Sequence, residues 1–231
     1  MKTLIVHAHP EPTSFNAAMT DMAVATLTAA GHEVEVSDLY ADGPRDFSGR
    51  SDFVGAADAR RFDYQAEQRR AAAEAAFVPE IAREHDRLMG CDLLILQFPL
   101  WWFGPPAILK AWIDRVLAFD VAYDLKSRFD RGKLLGRRGM ISVTTGGTTE
   151  RFNDKGVYGD IERVLYPLHH GVLQYLGLGV VEPFVAYAAA RGTDDDRRTI
   201  LATYAERLRG IEDEPTRPVP PAGVPLPPTP V

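Results

Sequence analysis

Leu93–Phe98 reads LLILQF and runs directly into Pro99–Pro106, PLWWFGPP. A short, nearly uninterrupted apolar run ended by prolines is the pattern of a strand buried on both faces, as in the middle of a parallel sheet. The residues behind it cannot continue the strand, because two more prolines and Gly104 break regular structure. Ala107–Leu117 then carries Ile108, Leu109, Trp112, Ile113 and Val116 at helical spacing. Working outward, the same strand–loop–helix unit recurs. Upstream, the apolar Leu4–Ala8 precedes the loop His9–Asn16 (HPEPTSFN) and a predicted helix from Phe15 to Ala30, stopped by Gly31. Glu33–Ser37 alternates around Val34 and Val36 as a second strand, and Ala71–Met89 reads as one helix with Pro79 opening its second half. Downstream, Gly139–Thr144 is a fourth strand, Ile161–Leu176 a helix stopped by Gly177, and Val180–Tyr187 a fifth strand interrupted at Pro183. Asp194–Arg209 is the last helix, its three aspartates placed at the positive end of the helix dipole. Strands alternating with helices predict an α/β chain: a doubly wound, five-stranded parallel sheet with helices on both faces.

The chain has 231 residues, suited to one domain over 1–213, with a long, mostly loop-like insertion at about 41–70 and a Pro-rich tail over 214–231. The tail is expected to lie extended on the surface, where it could meet a partner subunit. Apolar residues make up 45% and charged residues 25%, as in soluble globular proteins, and the net charge of −6 argues against a nucleic-acid partner. The single cysteine, Cys91, excludes an intramolecular disulfide and a thiolate-built metal centre, and its apolar flank predicts burial. The N-terminus is not expected to be a secretory leader, since its apolar run is short and followed by two histidines, and no apolar stretch approaches the ~18 residues of a membrane span. The expected location is cytoplasmic.

In an open α/β sheet, ligands sit beyond the carboxyl ends of the strands. Three loops leave those ends. His9–Asn16 offers Thr13, Ser14 and Asn16 ahead of a helix, either a simple cap or a grip for phosphate. It contains neither a dinucleotide nor a Walker glycine signature. Trp101, Trp102 and Phe103 cluster in the second loop, either as a small core or as a shelf for a planar ring. Thr144-Thr145-Gly146-Gly147 is either a tight turn or a backbone donor edge open to a ligand. Taken together, phosphate grip, aromatic shelf and donor edge describe a flavin site.

AHPEPTSFNAAM, LILQFPLWWFGPPAILKAWIDRVL, SVTTGG and GVYGDIERVLYPLHHGVLQYLGLGVVEP resemble NAD(P)H:quinone oxidoreductases of the flavodoxin-like superfamily, in the branch of the mammalian FAD-dependent quinone reductases. The likeness covers nearly the whole chain, including FDYQAEQ at 62–68. It implies a flavodoxin-like fold, FAD (with FMN as the other option), NAD(P)H as co-substrate, and a homodimer with its active sites at the interface. By that resemblance His9, Thr13, Phe15, Asn16 and Ala17 would hold the phosphates and ribityl chain. Pro99, Leu100, Trp101, Trp102, Phe103 and Phe152 would flank the isoalloxazine, and Thr144, Thr145, Gly146 and Gly147 would line its edge. Asp63 and Arg197 fall near the adenosine end. Tyr123 matches a lid that reaches the partner's substrate pocket, which Trp102, Phe103, Gly146 and Tyr158 would also line.

The resemblance also predicts where this chain departs. A tyrosine–histidine pair of the mammalian branch is replaced by Phe152 and Tyr158, leaving Tyr158 as the one candidate catalytic side chain. A phenol can donate a hydrogen bond but cannot carry the positive charge of an imidazolium. Leu125 stands where a second lid tyrosine is expected, and Trp101 replaces a smaller polar residue. Of a paralogue's zinc ligands only His170 is matched, with Gln174 at the second position, so no metal is expected. His169 and His170 read as helix-face or core residues. The predicted activity is ping-pong hydride transfer from NAD(P)H through the flavin to a quinone, in one two-electron reduction. Azo- or nitro-reduction, and a flavin-binding regulatory subunit of a transport system, are the alternatives.

Overall fold

A computed structural model describes residues 1–41 and 47–223. The strands are β1 (Lys2–His7), β2 (Glu33–Asp38), β3 (Leu93–Pro99), β4 (Arg138–Thr144), β5 (Gly179–Val180) and β6 (Phe184–Ala186). All pairings are parallel, in the order β2-β1-β3-β4, with β5 and β6 both on the outer edge of β4. The predicted fifth strand is therefore two short pieces in one sheet position, separated by Val181, Glu182 and Pro183, because proline supplies no N–H to the ladder. The order reverses between β1 and β3, which places the ligand crevice at their carboxyl ends.

Successive strand residues serve opposite faces. Leu4, Val6, Leu94, Leu96, Phe98, Ile141 and Val143 pack with α4 (Ala107–Val116) and α5 (Ile161–Leu168). Ile5, Leu93, Ile95 and Met140 pack with α1 (Phe15–Ala29) and α6 (Asp194–Arg209). A strand covered on both sides needs no polar face, which is why LLILQF is almost wholly apolar.

Two predicted helices are broken. The stretch 64–90 forms α2 (Tyr64–Glu74) and α3 (Pro79–Gly90) rather than a loop followed by one helix. Ala75 takes φ +52°, and Val78, ahead of Pro79, is held extended by the proline ring. Ile161–Leu176 continues past Leu168 only as a π-turn over His169–Gln174, two residues after Pro167, which has no N–H for the helix ladder. Residues 42–46 of the insertion and 224–231 of the tail lie outside the described residues. The described part of the tail is extended and docked on its own chain: Arg217 N–H donates to the Val180 carbonyl (2.7 Å), and Gln174 Nε2 to the Pro218 carbonyl (2.9 Å). Cys91 is buried, as expected, and burial pushes its thiol up to about 11. Among the described residues no helix is long and apolar enough to cross a membrane.

Candidate active site

The three loops meet at the crevice. In the second, Trp101 and Gly104 exchange both backbone hydrogen bonds, each at 3.0 Å, closing a two-residue turn. The central residues, Trp102 and Phe103, have φ of +51° and +58°. That turn type favours Asn-Gly, and side chains in the left-handed region cost roughly 1–2 kcal/mol per residue. Trp102 is also 99% exposed. The strain opposes stability and an exposed ring gives nothing back through burial, so the shelf is kept for something other than folding.

The facing loop presents Gly146 and Gly147. Thr145 N–H donates to the Ala186 carbonyl (3.0 Å), while the Gly147 carbonyl accepts from Thr145 Oγ1 (2.8 Å) and from Ala188 N–H (3.0 Å). Among the described residues the N–H groups of Gly146 and Gly147 have no partner. A Cβ on Gly147 would lie 2.8 Å from Phe152 and 2.9 Å from Tyr158, so aromatic packing requires that glycine. A Cβ on Gly146 would meet nothing within 4 Å: the space over it is open. Phe103 meets Tyr158 edge-on at 5.7 Å and Phe152 at 6.3 Å. These groups bound a cavity of about 290 Å³, also lined by Leu100 and Arg191. The Tyr158 hydroxyl accepts from Arg151 Nη1 at 3.1 Å.

The first loop is capped by Ser14, whose hydroxyl accepts from Ala17 N–H (3.1 Å). Thr13 donates from both its N–H (2.9 Å) and its hydroxyl (2.7 Å) to Glu11, and these bonds hold that carboxylate below its usual range. His9 Nδ1 accepts from Glu11 N–H (3.1 Å), and its ring lies 6.3 Å from Trp101, joining the first two loops. Phe15 packs on the core under α1 and α6. The first-turn amides of α1 are the groups left for an anion.

Asn16 and Thr144 serve the site from beneath. Gln97 Nε2 donates to Asn16 Oδ1 (3.0 Å), and Asn16 Nδ2 to Thr144 Oγ1 (2.9 Å), all three side chains being buried. These bonds lock the ends of the first and third loops to β3, and leave Gln97 Oε1 buried without a partner among the described residues. Gln97 escaped the sequence reading, although a single amide within LLILQF was the signal. Arg151 and Arg191 escaped it too, for nothing in their flanks marks them.

Three predicted residues stand elsewhere. Arg197 directs Nη1 to the carbonyls of Gly192 (2.7 Å) and Ala189 (3.3 Å), holding the turn that carries Arg191. Asp63 caps α2 through Ala66 N–H (3.0 Å). Tyr123 packs between Phe119 (5.4 Å) and Tyr175 (5.6 Å), and its hydroxyl accepts from Gln65 at 3.4 Å. Within one chain, neither Asp63 nor Tyr123 is brought to the cavity.

Residues 1–210 match the family described as having a flavodoxin-like fold. A ribosyldihydronicotinamide dehydrogenase [quinone] of Mus musculus is 40% identical over 222 residues, covering 95% of this chain and 96% of the relative. The chain belongs to the flavodoxin-like quinone dehydrogenase family. It is an oxidoreductase. Within the family, NAD(P)H dehydrogenase [quinone] 1 of Cavia porcellus is 41% identical over 214 residues, covering 92% of this chain and 78% of its own. A solved structure from Klebsiella pneumoniae, assigned as a quinone reductase, superposes with a TM-score of 0.88 at 35% identity over 94% of this chain and 86% of that one.

Proposed function

We propose that the chain is a flavin-dependent NAD(P)H:quinone reductase that binds FAD and works by a ping-pong mechanism. The observation that carries this is the strained Trp102–Phe103 turn, which holds aromatic faces opposite the two free amides of Gly146 and Gly147 across an open cavity. The donor set and the room suit an isoalloxazine: N–H groups for its oxygen- and nitrogen-bearing edge, aromatic rings for its face, and a helix N-terminus for its phosphate. Leu100–Phe103, Gly146, Gly147 and Phe152 would hold the ring, and the first turn of α1 the phosphates, joined by Thr13 once its donors leave Glu11. A bound flavin supplies the two-electron chemistry, accepting hydride from the nicotinamide and delivering it to the acceptor. Trp102 and Phe103 exclude water and stack the incoming ring. Tyr158 orients the acceptor by a hydrogen bond, while Arg151 fixes the phenol. Phe152, without a hydroxyl, only packs. Asp63 and Tyr123 would act on the site of a second copy in a homodimer. The setting is cytoplasmic.

Purified protein should be yellow and release FAD by mass. NADH or NADPH should bleach it in a single turnover, and menadione should restore the colour. A colourless protein that takes up neither FAD nor FMN would sink the proposal. Faster restoration by an azo dye or nitroaromatic than by menadione would move the acceptor class away from quinones.

A further inference from the structure

Of the side chains lining the 290 Å³ cavity, only Arg191 carries a charge. It stands on a turn pinned from both sides. Arg191 N–H donates to the Ala188 carbonyl (2.8 Å), and Ala188, at φ +49°, donates to Gly147 (3.0 Å). Behind the turn, Arg197 grips the carbonyls of Ala189 and Gly192, and Thr193 and Asp196 cap α6 reciprocally. A surface arginine with no task does not need a support of this kind. A second cation stands nearby: Arg151 lies 5.5 Å from the centre of the Tyr158 ring as well as bonding its hydroxyl. Neither Arg151 nor Arg191 has an acidic partner among the described residues, and the Arg191 side chain has no hydrogen-bond partner there at all. In a chain of net charge −6, Arg191 brings positive charge to the cavity wall, with Arg151 behind it at Tyr158.

We propose that Arg191, supported by Arg151, recognises an anionic group carried by the molecule that enters this cavity, and so sets the selectivity of the reaction. The proposal rests on the reading of the cavity as a redox pocket. A planar guanidinium suits phosphate, sulfonate or carboxylate oxygens through paired N–H donors. Two sources share that chemistry: the phosphates of a nucleotide donor, and an acidic substituent on the quinone acceptor. Arg197 is then a positioning residue acting through the turn.

The test uses the full chain loaded with flavin. Flavin reduction is timed with NADPH, NADH and ribosyldihydronicotinamide, which has no phosphate. Reoxidation is timed with menadione and a sulfonated naphthoquinone, at low and high salt. Arg191→Gln should lower the anionic-to-neutral rate ratio about tenfold, the size of one charge-assisted hydrogen bond. Arg191→Lys should keep most of the preference, and salt should weaken it in the unaltered chain. A change confined to the donor ratios assigns the group to nucleotide phosphate, and one confined to the acceptor ratio assigns it to the acceptor. A structural role alone would slow neutral and anionic partners equally. Unchanged ratios in both half-reactions, with flavin content intact, overturn the proposal while leaving the redox reading standing. Failure to take up any flavin removes both.

Discussion

A tryptophan at φ +51° strains the backbone, and with its ring in solvent no burial offsets that cost. Asparagine tolerates that backbone region and has little apolar surface. Trp102→Asn should therefore raise the unfolding free energy of the flavin-stripped protein by about 1 kcal/mol, while weakening flavin binding at least tenfold. Thermal denaturation and fluorescence titration would check both, and a parallel loss of stability and affinity would contradict the strained-shelf account. Gly147→Ala should do the reverse of a harmless change, because its methyl meets Phe152 and Tyr158 below 3.0 Å. Overpacking of this kind costs about 1–3 kcal/mol, and calorimetry should show it with or without flavin. His85 bears on pH. It is buried edge-to-face on Phe77 at 4.6 Å, Nε2 has no partner, and burial pulls its pKa down to about 4. The unfolded chain binds that proton near 6.5, so the loss of stability sets in as pH falls below 6.5 and is complete near 4. His85→Phe should flatten the pH–stability curve across that window by something on the order of 3 kcal/mol, whatever it does to stability at pH 8.

At the scale of elements, a buried ion pair ties the described part of the insertion to α4. Asp52 accepts from Arg115 Nε on α4 (2.8 Å), Tyr64 OH (2.6 Å) and Gly49 N–H (3.0 Å), and both Asp52 and Arg115 have side chains 1% exposed. Asp52→Ala removes the carboxylate that Arg115 Nε, Tyr64 OH and Gly49 N–H all bond, and losing one member of a buried ion pair costs about 3–5 kcal/mol. Urea denaturation should register that loss, with early protease cleavage of residues 47–63 as the local sign. A loss below 1 kcal/mol would show that the insertion docks by its apolar contacts. Sequence reading does not find this pair, because the partners lie 63 positions apart. It does find α1 and α6, whose starts are marked by Thr13–Asn16 and by the run Asp194–Asp196 ahead of helical spacing. The misread elements differ in cause. Ala75 is an ordinary residue in a left-handed conformation and leaves no mark in composition, whereas the π-turn at His169 follows Pro167, a mark the helical spacing around it outweighed. The site divides similarly: Trp102, Gly146 and Gly147 are odd residues in odd places and legible as such, whereas Arg191 gains meaning only from the turn beneath it.

At the scale of the molecule, the sheet has one weak border. β5 and β6 are short, and the tail seals them: Arg217 reaches Glu162 and Glu182 at 2.7 Å each, and Asp130 N–H donates to the Pro220 carbonyl (3.2 Å). Removing residues 214–231 should expose that edge and promote strand-to-strand association. Light scattering on gentle heating should detect it, and a truncated chain that stays dispersed would assign the tail another role. The lone Cys91 has a different consequence for an enzyme of this kind. Quinones are Michael acceptors that arylate thiolates, and catalysts handling them risk self-inactivation. A sulfhydryl buried under Leu88, with ionisation deferred to about 11, offers such electrophiles no soft nucleophile while the chain is folded.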